Sequence, residues 1–239
     1  MAENKGAIAV TGASRGIGAA IALELAQRGF SVACLSRRGS GPAHERFIHL
    51  ACDVNDEASI AQAFATLAAH AGEIAGLVNN AGVHKYGKSA GLATAVYEEV
   101  MNTNARSVFL CCREVYPYLA HAGGSIVNIG SFFDKLGVKQ NLAYCASKAA
   151  VGAITRCLAV EWAPQKIRVI NVAPGYIETD INAAAMRGPL RAFLEARVPT
   201  GGPGQVHDVA RLVAALFSED LPYLTGETIY LDGGQGMAH

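Results

Sequence analysis

Two side chains that can carry acid–base chemistry lie four residues apart in residues 143–150, AYCASKAA. Tyr144 and Lys148 hold positions i and i+4, so a helix would present the phenol and the ammonium on one face. The pKa of a free phenol is about 10, and a neighbouring ammonium lowers it by favouring the phenolate. The spacing therefore predicts a tyrosine with a lowered pKa that acts as a general acid or base.

A serine hydroxyl strengthens this interpretation. An isolated tyrosine and lysine at this spacing is also typical of an ordinary exposed helix pair. Ser131, however, closes the segment IVNIGS thirteen residues before Tyr144. Its hydroxyl can hydrogen-bond a substrate carbonyl as negative charge develops on the oxygen, and this favours the catalytic interpretation.

Two turns contain residue types that can bind a nucleotide. Residues 10–18, VTGASRGIG, follow a predicted strand and open a predicted helix, and they contain Gly12, Gly16 and Gly18. Such glycines let a pyrophosphate approach the backbone amides at the helix N-terminus. Residues 77–83, LVNNAGV, end another predicted strand, where side-chain amides can hold backbone and ribose. Each segment taken alone also fits a turn without a ligand.

Alternating strand and helix signals predict the elements that position these residues. The fold class is α/β, a single-domain doubly wound parallel sheet (Rossmann fold) of about seven strands flanked by helices. Predicted strands cover residues 6–10, 31–35, 46–50, 74–78, 125–129, 167–172 and 228–231. Predicted helices cover residues 17–28, 56–70 with Asp56 as N-cap, 98–119, 144–163 and 205–217. We expect one domain, residues 1–239, with a mobile substrate lid at about 179–204.

Composition and charge exclude several classes of function. The 239 residues have a formal net charge of zero and a pI near 7.0, which does not suit a nucleic-acid groove or a basic membrane surface. Hydrophobic residues make up 51% and charged residues 17%, so we expect surface to be buried in an oligomer. The six cysteines contain no C-x-x-C pair, which favours reduced packing cysteines in a cytoplasmic protein over disulfides or a metal site. We expect neither a signal peptide nor a membrane span.

The order TGxxxGxG, NNAG, Ser, YxxxK and PG resembles the short-chain dehydrogenase/reductase family, in its 3-oxoacyl-thioester reductase-like branch. The resemblance runs from about residue 6 to residue 234. It implies hydride transfer between a nicotinamide and a carbonyl carbon, with a proton given by Tyr144. The catalytic residues that it implies are Asn104, Ser131, Tyr144 and Lys148. Asn104 would hold a proton-relay water, Ser131 would polarise the carbonyl, and Lys148 would tune Tyr144.

The resemblance also implies a set of cofactor contacts. Asp53 would contact the adenine, Lys148 the nicotinamide ribose, and the segment from Pro174 to Thr179 the carboxamide. The implied cofactor-binding residues are Gly12, Ser14, Arg15, Gly16, Ile17, Gly18, Arg37, Arg38, Asp53, Val54, Asn80, Ala81, Gly82, Tyr144, Lys148, Pro174, Gly175, Ile177 and Thr179. Ile170 stands where the family usually has asparagine, a departure that leaves the chemistry untouched.

Charges near the second predicted strand indicate which nicotinamide is used. An acid at the end of that strand would bind the adenosine 2′-hydroxyl and repel a 2′-phosphate. The strand instead ends CLSRR, with Ser36 in the acid's place and Arg37 and Arg38 after it. Arg15 lies inside the glycine turn, and guanidinium groups pair well with phosphate. We predict NADPH over NADH; the alternative is that these arginines are solvated loop charges.

The residues are compatible with more than one class of substrate. The general resemblance to 3-oxoacyl-thioester reductases is weakened because two positions expected to be basic for carrier-protein docking are Ala122 and Gln165. Lid arginines Arg187, Arg191 and Arg197 either meet an anionic substrate or are ordinary solvated charges. Three hypotheses follow: an NADPH-dependent 3-oxoacyl-thioester or small-ketone reductase, an NAD-dependent alcohol or sugar dehydrogenase, and a catalytically silent structural partner. The resemblance implies a homotetramer, built by packing the predicted helices 98–119 and 144–163.

Overall fold

A parallel sheet of seven strands forms the centre of the molecule. The computed structural model describes residues 6–180, 182–183, 186 and 188–237. The sheet strands are β1 (Ala7–Thr11), β2 (Ser31–Ser36), β3 (Phe47–Ala51), β4 (Ile74–Asn79), β5 (Gly124–Ile129), β6 (Ile167–Pro174) and β9 (Thr228–Leu231). Their order is β3-β2-β1-β4-β5-β6-β9, and every neighbouring pair is parallel. The direction of winding reverses between β1 and β4, which is where such sheets bind ligands.

Helices cover both faces of the sheet. They are α1 (Gly16–Gln27), α2 (Glu57–Ala71), α3 (Thr94–Met101), α4 (Ser107–Leu119), α5 (Leu142–Trp162), α6 (Pro189–Arg197) and α7 (Val206–Ser218). Alternate residues of β1 enter opposite cores: Ala7 and Ala9 pack in one, Ile8 and Val10 in the other. The first core also contains side chains of α2, α4 and α5, and the second contains those of α1 and α7. The doubly wound α/β fold predicted from the sequence is confirmed.

Local signals explain where several helices begin. Asp56 caps α2, because its Oδ1 accepts a hydrogen bond from the amide of Ala58 at 3.0 Å, as predicted. Gln205 and Asp208 form a capping box at the start of α7, and the Asp208 carboxylate accepts from the Gln205 amide at 2.8 Å. The chain leaves α5 through a short 3-10 turn, Ala163–Gln165, and a left-handed Lys166.

The predicted helix 98–119 differs most from the structure. In the structure the helix begins four residues earlier, at Thr94. A π-helical turn, Asn102–Arg106, joins α3 to α4. A single wide turn inside a helix is invisible to hydrophobic periodicity, because it only shifts the phase of the pattern. Helix α5 begins at Leu142, two residues before the predicted start, and β6 continues two residues further, to Pro174.

The segment predicted to be an irregular lid contains regular structure. Strand β7 (Ile177–Glu178) pairs with β8 (Gly204–Gln205), and α6 lies between them. Helix α6 was missed because its apolar side is short: Leu194 packs with Met186 and Val198 in a small separate cluster. Arg187 lies outside the described residues. The mobility of residues 179–204 and the single-domain boundary stay predictions.

Across the described ranges, no helix is both long and apolar enough to cross a membrane. Within those same residues there is no group of three or more His, Cys, Asp or Glu side chains that could hold a metal ion. All six cysteines are free thiols, and four of them are buried.

Candidate active site

The glycine turn and the asparagine-rich turn are joined by hydrogen bonds at the carboxyl ends of β1 and β4. The Thr11 hydroxyl accepts hydrogen bonds from the amides of Asn80 at 2.9 Å and Ala81 at 3.0 Å. The Asn80 side chain donates back to the carbonyl oxygens of Thr11 at 3.0 Å and Gly12 at 3.2 Å. Asn80 therefore holds the backbone of the glycine turn in place, which is what we expected of a side-chain amide in this segment.

Glycine is required in this turn for two different reasons. Gly12 and Gly16 have φ values of 67° and 57°, which favour glycine. Gly18 has an ordinary helical conformation, but a Cβ there would overlap Asn80 Nδ2 and the Gly12 carbonyl oxygen. The turn is thus packed tightly on the protein side and open on the ligand side, where a Cβ on Gly16 would meet only Thr179 at 3.9 Å.

A cavity of about 580 Å³ lies against this turn. Most of the predicted cofactor contacts line it: Gly12, Ser14, Arg15, Gly16, Ile17, Gly18, Arg37, Asp53, Val54, Asn80, Ala81, Gly82 and Thr179. Sequence reasoning missed Cys52, Asn55 and Thr103 in its wall, because their side chains carry no motif. The size and the glycine cradle fit a dinucleotide whose pyrophosphate lies at the N-terminus of α1.

A second cavity, of about 600 Å³, adjoins the first and is lined by basic and hydroxyl groups. Its wall consists of Ser14, Arg15, Ser36, Arg37, Arg38, Ser40 and Gly41. The Ser36 hydroxyl shapes this loop by accepting from the Ser40 amide at 3.2 Å. Within the described part of the chain, none of the three arginines pairs with a carboxylate. Three unpaired guanidinium groups around one pocket suit a phosphate group.

Three of the residues predicted to grip the nicotinamide do not line either cavity. The Gly175 amide donates to the Leu231 carbonyl at 2.9 Å, and a Cβ there would lie 2.8 Å from Asp232 Cα. Ile177 is buried in β7, and Pro174 ends β6. Thr179, in contrast, reaches the first cavity. The cofactor contacts of Pro174, Gly175 and Ile177 therefore stay predictions.

Tyr144, Ser131 and Lys148 meet at the carboxyl end of β5. The Ser131 side chain lies close enough to Tyr144 to lower the pKa of the phenol, and its hydroxyl accepts a hydrogen bond from the Phe133 amide at 3.3 Å. Lys148 is buried in α5, where its Nζ donates to the Ile129 carbonyl at 2.8 Å. The Lys148 Nζ lies 5.7 Å from the centre of the Tyr144 ring. The structure thus brings the predicted serine, tyrosine and lysine together.

The pKa of Tyr144 shifts in the direction opposite to the sequence-based expectation. Burial raises the pKa of Tyr144 to about 12, and the Ser131 side chain only partly opposes this shift. Burial likewise lowers the pKa of Lys148 to about 8. The expected lowering of the tyrosine pKa by lysine is therefore wrong for this structure, because loss of hydration is the largest cause that acts on the phenol. The phenol stays protonated at neutral pH and is poised to act as an acid.

Both polar ends of the Asn104 side chain are bonded within the protein. Its Oδ1 accepts from the Val83 amide at 2.8 Å, and its Nδ2 donates to the Val83 carbonyl at 2.9 Å and the Ser147 hydroxyl at 3.0 Å. The π-helical turn presents this buried side chain to both segments. Asn104 therefore joins the segment after β4 to α5, and its predicted role in holding a water stays a prediction.

Aromatic rings surround Tyr144, a feature that the sequence did not predict. The imidazole of His84 stacks on the phenol with ring centres 4.1 Å apart and planes 26° apart. Phe133 meets the same phenol edge-on, with ring centres 6.0 Å apart. The segment VHKYG directly after NNAG carries the histidine, but nothing in its spacing predicts a contact with a residue sixty positions later.

Comparisons with known proteins agree with this geometry. The family described as "Enoyl-(Acyl carrier protein) reductase" matches residues 12–235. The 3-oxoacyl-[acyl-carrier-protein] reductase of Escherichia coli is 36% identical, over 95% of this chain and 96% of that protein. The D-threitol dehydrogenase of Mycolicibacterium smegmatis is 33% identical, over 94% of this chain and 90% of that protein. The solved structure of a short-chain dehydrogenase/reductase from Serratia marcescens superposes with a TM-score of 0.88 at 30% identity, covering 98% of each chain.

Proposed function

Since the chain belongs to the short-chain dehydrogenase/reductase family, whose members act on CH–OH and C=O groups with NAD(P), we propose that it is an NADPH-dependent reductase. Its proposed substrates are 3-oxoacyl thioesters or small ketones. One observation carries the proposal: Tyr144, Ser131 and Lys148 meet at the end of β5, while a cavity beside the glycine turn fits a dinucleotide. The relatives named as a 3-oxoacyl-[acyl-carrier-protein] reductase and a dehydrogenase support the same chemistry.

Each catalytic side chain has one task in the proposed reaction. NADPH, when bound, supplies the hydride that the carbonyl carbon accepts. Tyr144 donates its phenolic proton to the carbonyl oxygen, which completes the secondary alcohol, and Ser131 hydrogen-bonds that oxygen as its negative charge grows. The Lys148 ammonium lies near the phenolate that remains and stabilises it until a proton returns. In the reverse direction the phenolate removes the proton of an alcohol.

The preference for NADPH rests on the arginine pocket. Arg15, Arg37 and Arg38 surround the second cavity, and Ser36 takes the place of an acid that would repel a 2′-phosphate. Asp53 and Val54 line the first cavity and are proposed to contact the adenine, while Gly12, Gly16 and Gly18 admit the pyrophosphate. In this proposal Lys148 also bonds the nicotinamide ribose when the cofactor is bound.

Replacing Tyr144 with Phe tests the catalytic proposal. The variant keeps the ring and its contact with His84 but has no proton to donate, so we expect kcat to fall by a factor of about 10² to 10⁴. NADPH consumption is followed by absorbance with a panel of 3-oxoacyl thioesters, small ketones and keto sugars. NADPH binding, measured by calorimetry, should stay within about twofold of the wild type. Unchanged turnover in the variant would refute the assignment of Tyr144.

A second candidate is an alcohol or sugar dehydrogenase working in the oxidative direction with NAD. The observation that favours it is the 33% identity to a protein named D-threitol dehydrogenase. Turnover of polyols with NAD, and none of ketones with NADPH, would select this candidate. A catalytically silent structural partner is disfavoured, because Ser131, Tyr144 and Lys148 are all in place.

The proposal extends to assembly and compartment. We propose a homotetramer formed through α4 and α5, whose outer faces carry the exposed side chains of Phe109, Leu142 and Val160. Six free thiols suit the reducing cytoplasm. Residues 179–204 are proposed as a substrate lid within a single domain, and the substrate as a small molecule.

A further inference from the structure

His84 lies between two phenol rings at the entrance to the proposed catalytic site. Its imidazole stacks on Tyr144 with ring centres 4.1 Å apart, and it lies over Tyr86 at a tilt of 34° with ring centres 4.3 Å apart. Two rings cannot both stack on one face of an imidazole at these distances, so the tyrosines lie on opposite faces. Phe133 meets the imidazole edge-on, with planes 86° apart. The Tyr86 side chain is 70% exposed, so this three-ring stack runs from the proposed acid out to the solvent.

Hydrogen bonds determine which nitrogen of His84 carries the proton. The Asn141 side chain donates its Nδ2 to the Lys139 carbonyl at 2.8 Å, which turns its Oδ1 toward His84 Nε2. An amide oxygen can only accept, so Nε2 is the protonated nitrogen. Among the described residues no hydrogen bond engages Nδ1. In a neutral imidazole, Nδ1 is then a hydrogen-bond acceptor that can bind a donor group of a ligand.

The backbone on both sides of His84 is anchored. Asn104 holds the preceding residue, Val83, through both its amide and its carbonyl. On the other side, the Gly87 amide donates to the Gln140 carbonyl at 3.0 Å, next to Asn141. Such support keeps a binding group in one orientation, which is what selective recognition requires.

We propose that His84 is a specificity-determining residue whose Nδ1 accepts a hydrogen bond from a hydroxyl group on the carbon next to the substrate carbonyl. This inference rests on the proposed function and narrows its substrate class to α-hydroxy ketones, or vicinal diols in the reverse direction. His84 stacks on the residue that bonds the carbonyl oxygen, so a group on the adjacent carbon comes within reach of the imidazole.

The rest of the surroundings favour a polar substrate. Burial is the main reason that the pKa of Tyr144 and the pKa of Tyr176 are raised, but the Tyr86 phenol adds to both shifts. Phe133 lies edge-on to both Tyr144 and Tyr176, with ring centres 6.0 Å apart in each pair, so the two phenols flank one aromatic ring. An unsubstituted ketone or a plain alkyl chain that displaces water from Nδ1 would leave this atom without a hydrogen-bond partner, which should weaken binding by about tenfold.

Paired substrates that differ by one hydroxyl test the inference. Acetoin and butanone share one carbon skeleton, and only acetoin carries the adjacent hydroxyl. We expect kcat/KM of the wild type to favour acetoin by at least about tenfold. His84→Phe keeps a stacking ring but loses both nitrogens, so its kcat/KM for acetoin should fall about tenfold, while that for butanone stays within about twofold. His121→Phe, the same change at an exposed histidine beyond α4, should alter neither value.

Each result decides between a specificity role and another explanation. Parallel losses for both ketones in His84→Phe would show that the stack is only structural and overturn the inference, as would an unchanged preference for acetoin. If the wild type reduces neither ketone, the proposed function has failed for this class, and binding decides the inference. Calorimetry on the protein with NADP⁺ should then show vicinal butanediol binding about tenfold more weakly to His84→Phe than to the wild type. Equal affinity, or no binding to the wild type, would overturn it.

Discussion

At the scale of single residues, burial decides the protonation of the proposed catalytic pair. The pKa of Tyr144 is raised to about 12 and that of Lys148 is lowered to about 8, so both groups are driven toward their neutral forms. Neutral tyrosine is the acid that a reductase needs. The buried lysine, in contrast, costs stability whenever it is charged.

Lys148 should therefore give the protein a measurable dependence of stability on pH. Its pKa is about 8 when folded and 10.5 in its ordinary state, so between these values the unfolded chain binds the extra proton. The stability that neutral Lys148 contributes is full above pH 10.5 and is lost as pH falls through about 8, a change of about 3 kcal/mol. Urea unfolding at several pH values should show that the free energy of unfolding of the wild type rises relative to that of Lys148→Met as pH increases from about 8 to 10.5. Parallel curves for the two proteins would contradict the shift.

The three arginines around the second cavity lead to a second prediction at the residue scale. Arg37→Ala removes one guanidinium from the proposed 2′-phosphate site, so the Kd for NADPH should rise about tenfold or more, while that for NADH stays within about twofold. Fluorescence titration of both nucleotides measures the two constants. Arg211→Ala, an exposed arginine on α7, is the matched control and should leave both unchanged. Equal weakening for NADPH and NADH would argue against a phosphate contact.

At the scale of elements, the turn between β1 and α1 and the turn after β4 act as one unit. Asn80 and Thr11 exchange hydrogen bonds across them, and Gly18 provides the space in which Asn80 lies. The π-helical turn that contains Asn104 connects the same region to α5 through Val83 and Ser147. The cofactor cavity and the proposed catalytic residues are thus held by a connected set of buried and partly buried hydrogen bonds.

Adding one methyl group to Gly18 should disturb this unit. A Cβ there would overlap the Asn80 amide and the Gly12 carbonyl, so Gly18→Ala should lower the free energy of unfolding by about 1–3 kcal/mol and weaken nucleotide binding. Gly137→Ala is a suitable control, because a Cβ at Gly137 meets nothing within 4 Å. Thermal unfolding and nucleotide titration of both variants provide the measurement. Equal stability of Gly18→Ala and Gly137→Ala would contradict the packing argument.

At the scale of the whole molecule, the low charge fraction of the sequence is reflected in exposed apolar side chains on α4 and α5. The side chain of Val160 is 80% exposed and that of Phe109 is 45% exposed. Exposed apolar groups on these two helices suit contact with further copies of the chain.

Val160→Glu should therefore change the state of assembly. A charge at the centre of an apolar contact is unpaired and desolvated, so we expect a smaller species than the proposed tetramer. Light scattering coupled to size-exclusion chromatography measures the mass of both proteins. Leu23→Glu, an equivalent change at the exposed Leu23 of α1, should leave the mass unchanged. A monomeric wild type would refute the proposal of a tetramer.

The sequence by itself determined the fold class and most of the cavity wall. Alternating apolar strands, the glycines of the first turn and the Asp56 cap are local signals, because period, backbone conformation and capping act over a few residues. The same holds for the cationic character of the pocket, since Arg37 and Arg38 directly follow β2. Thirteen of the cofactor contacts that the family resemblance implied line the cavity.

Only the tertiary structure decided the properties that arise between distant segments. The pKa of Tyr144 moves upward because surrounding elements remove water from the phenol, which the spacing to Lys148 alone cannot show. The contact of His84 with Asn141 joins residues 57 positions apart, and Asn104 binds Val83 and Ser147 from a turn that periodicity does not reveal. Desolvation, stacking and buried hydrogen bonding depend on which elements pack together, so they became visible only once the chain was folded.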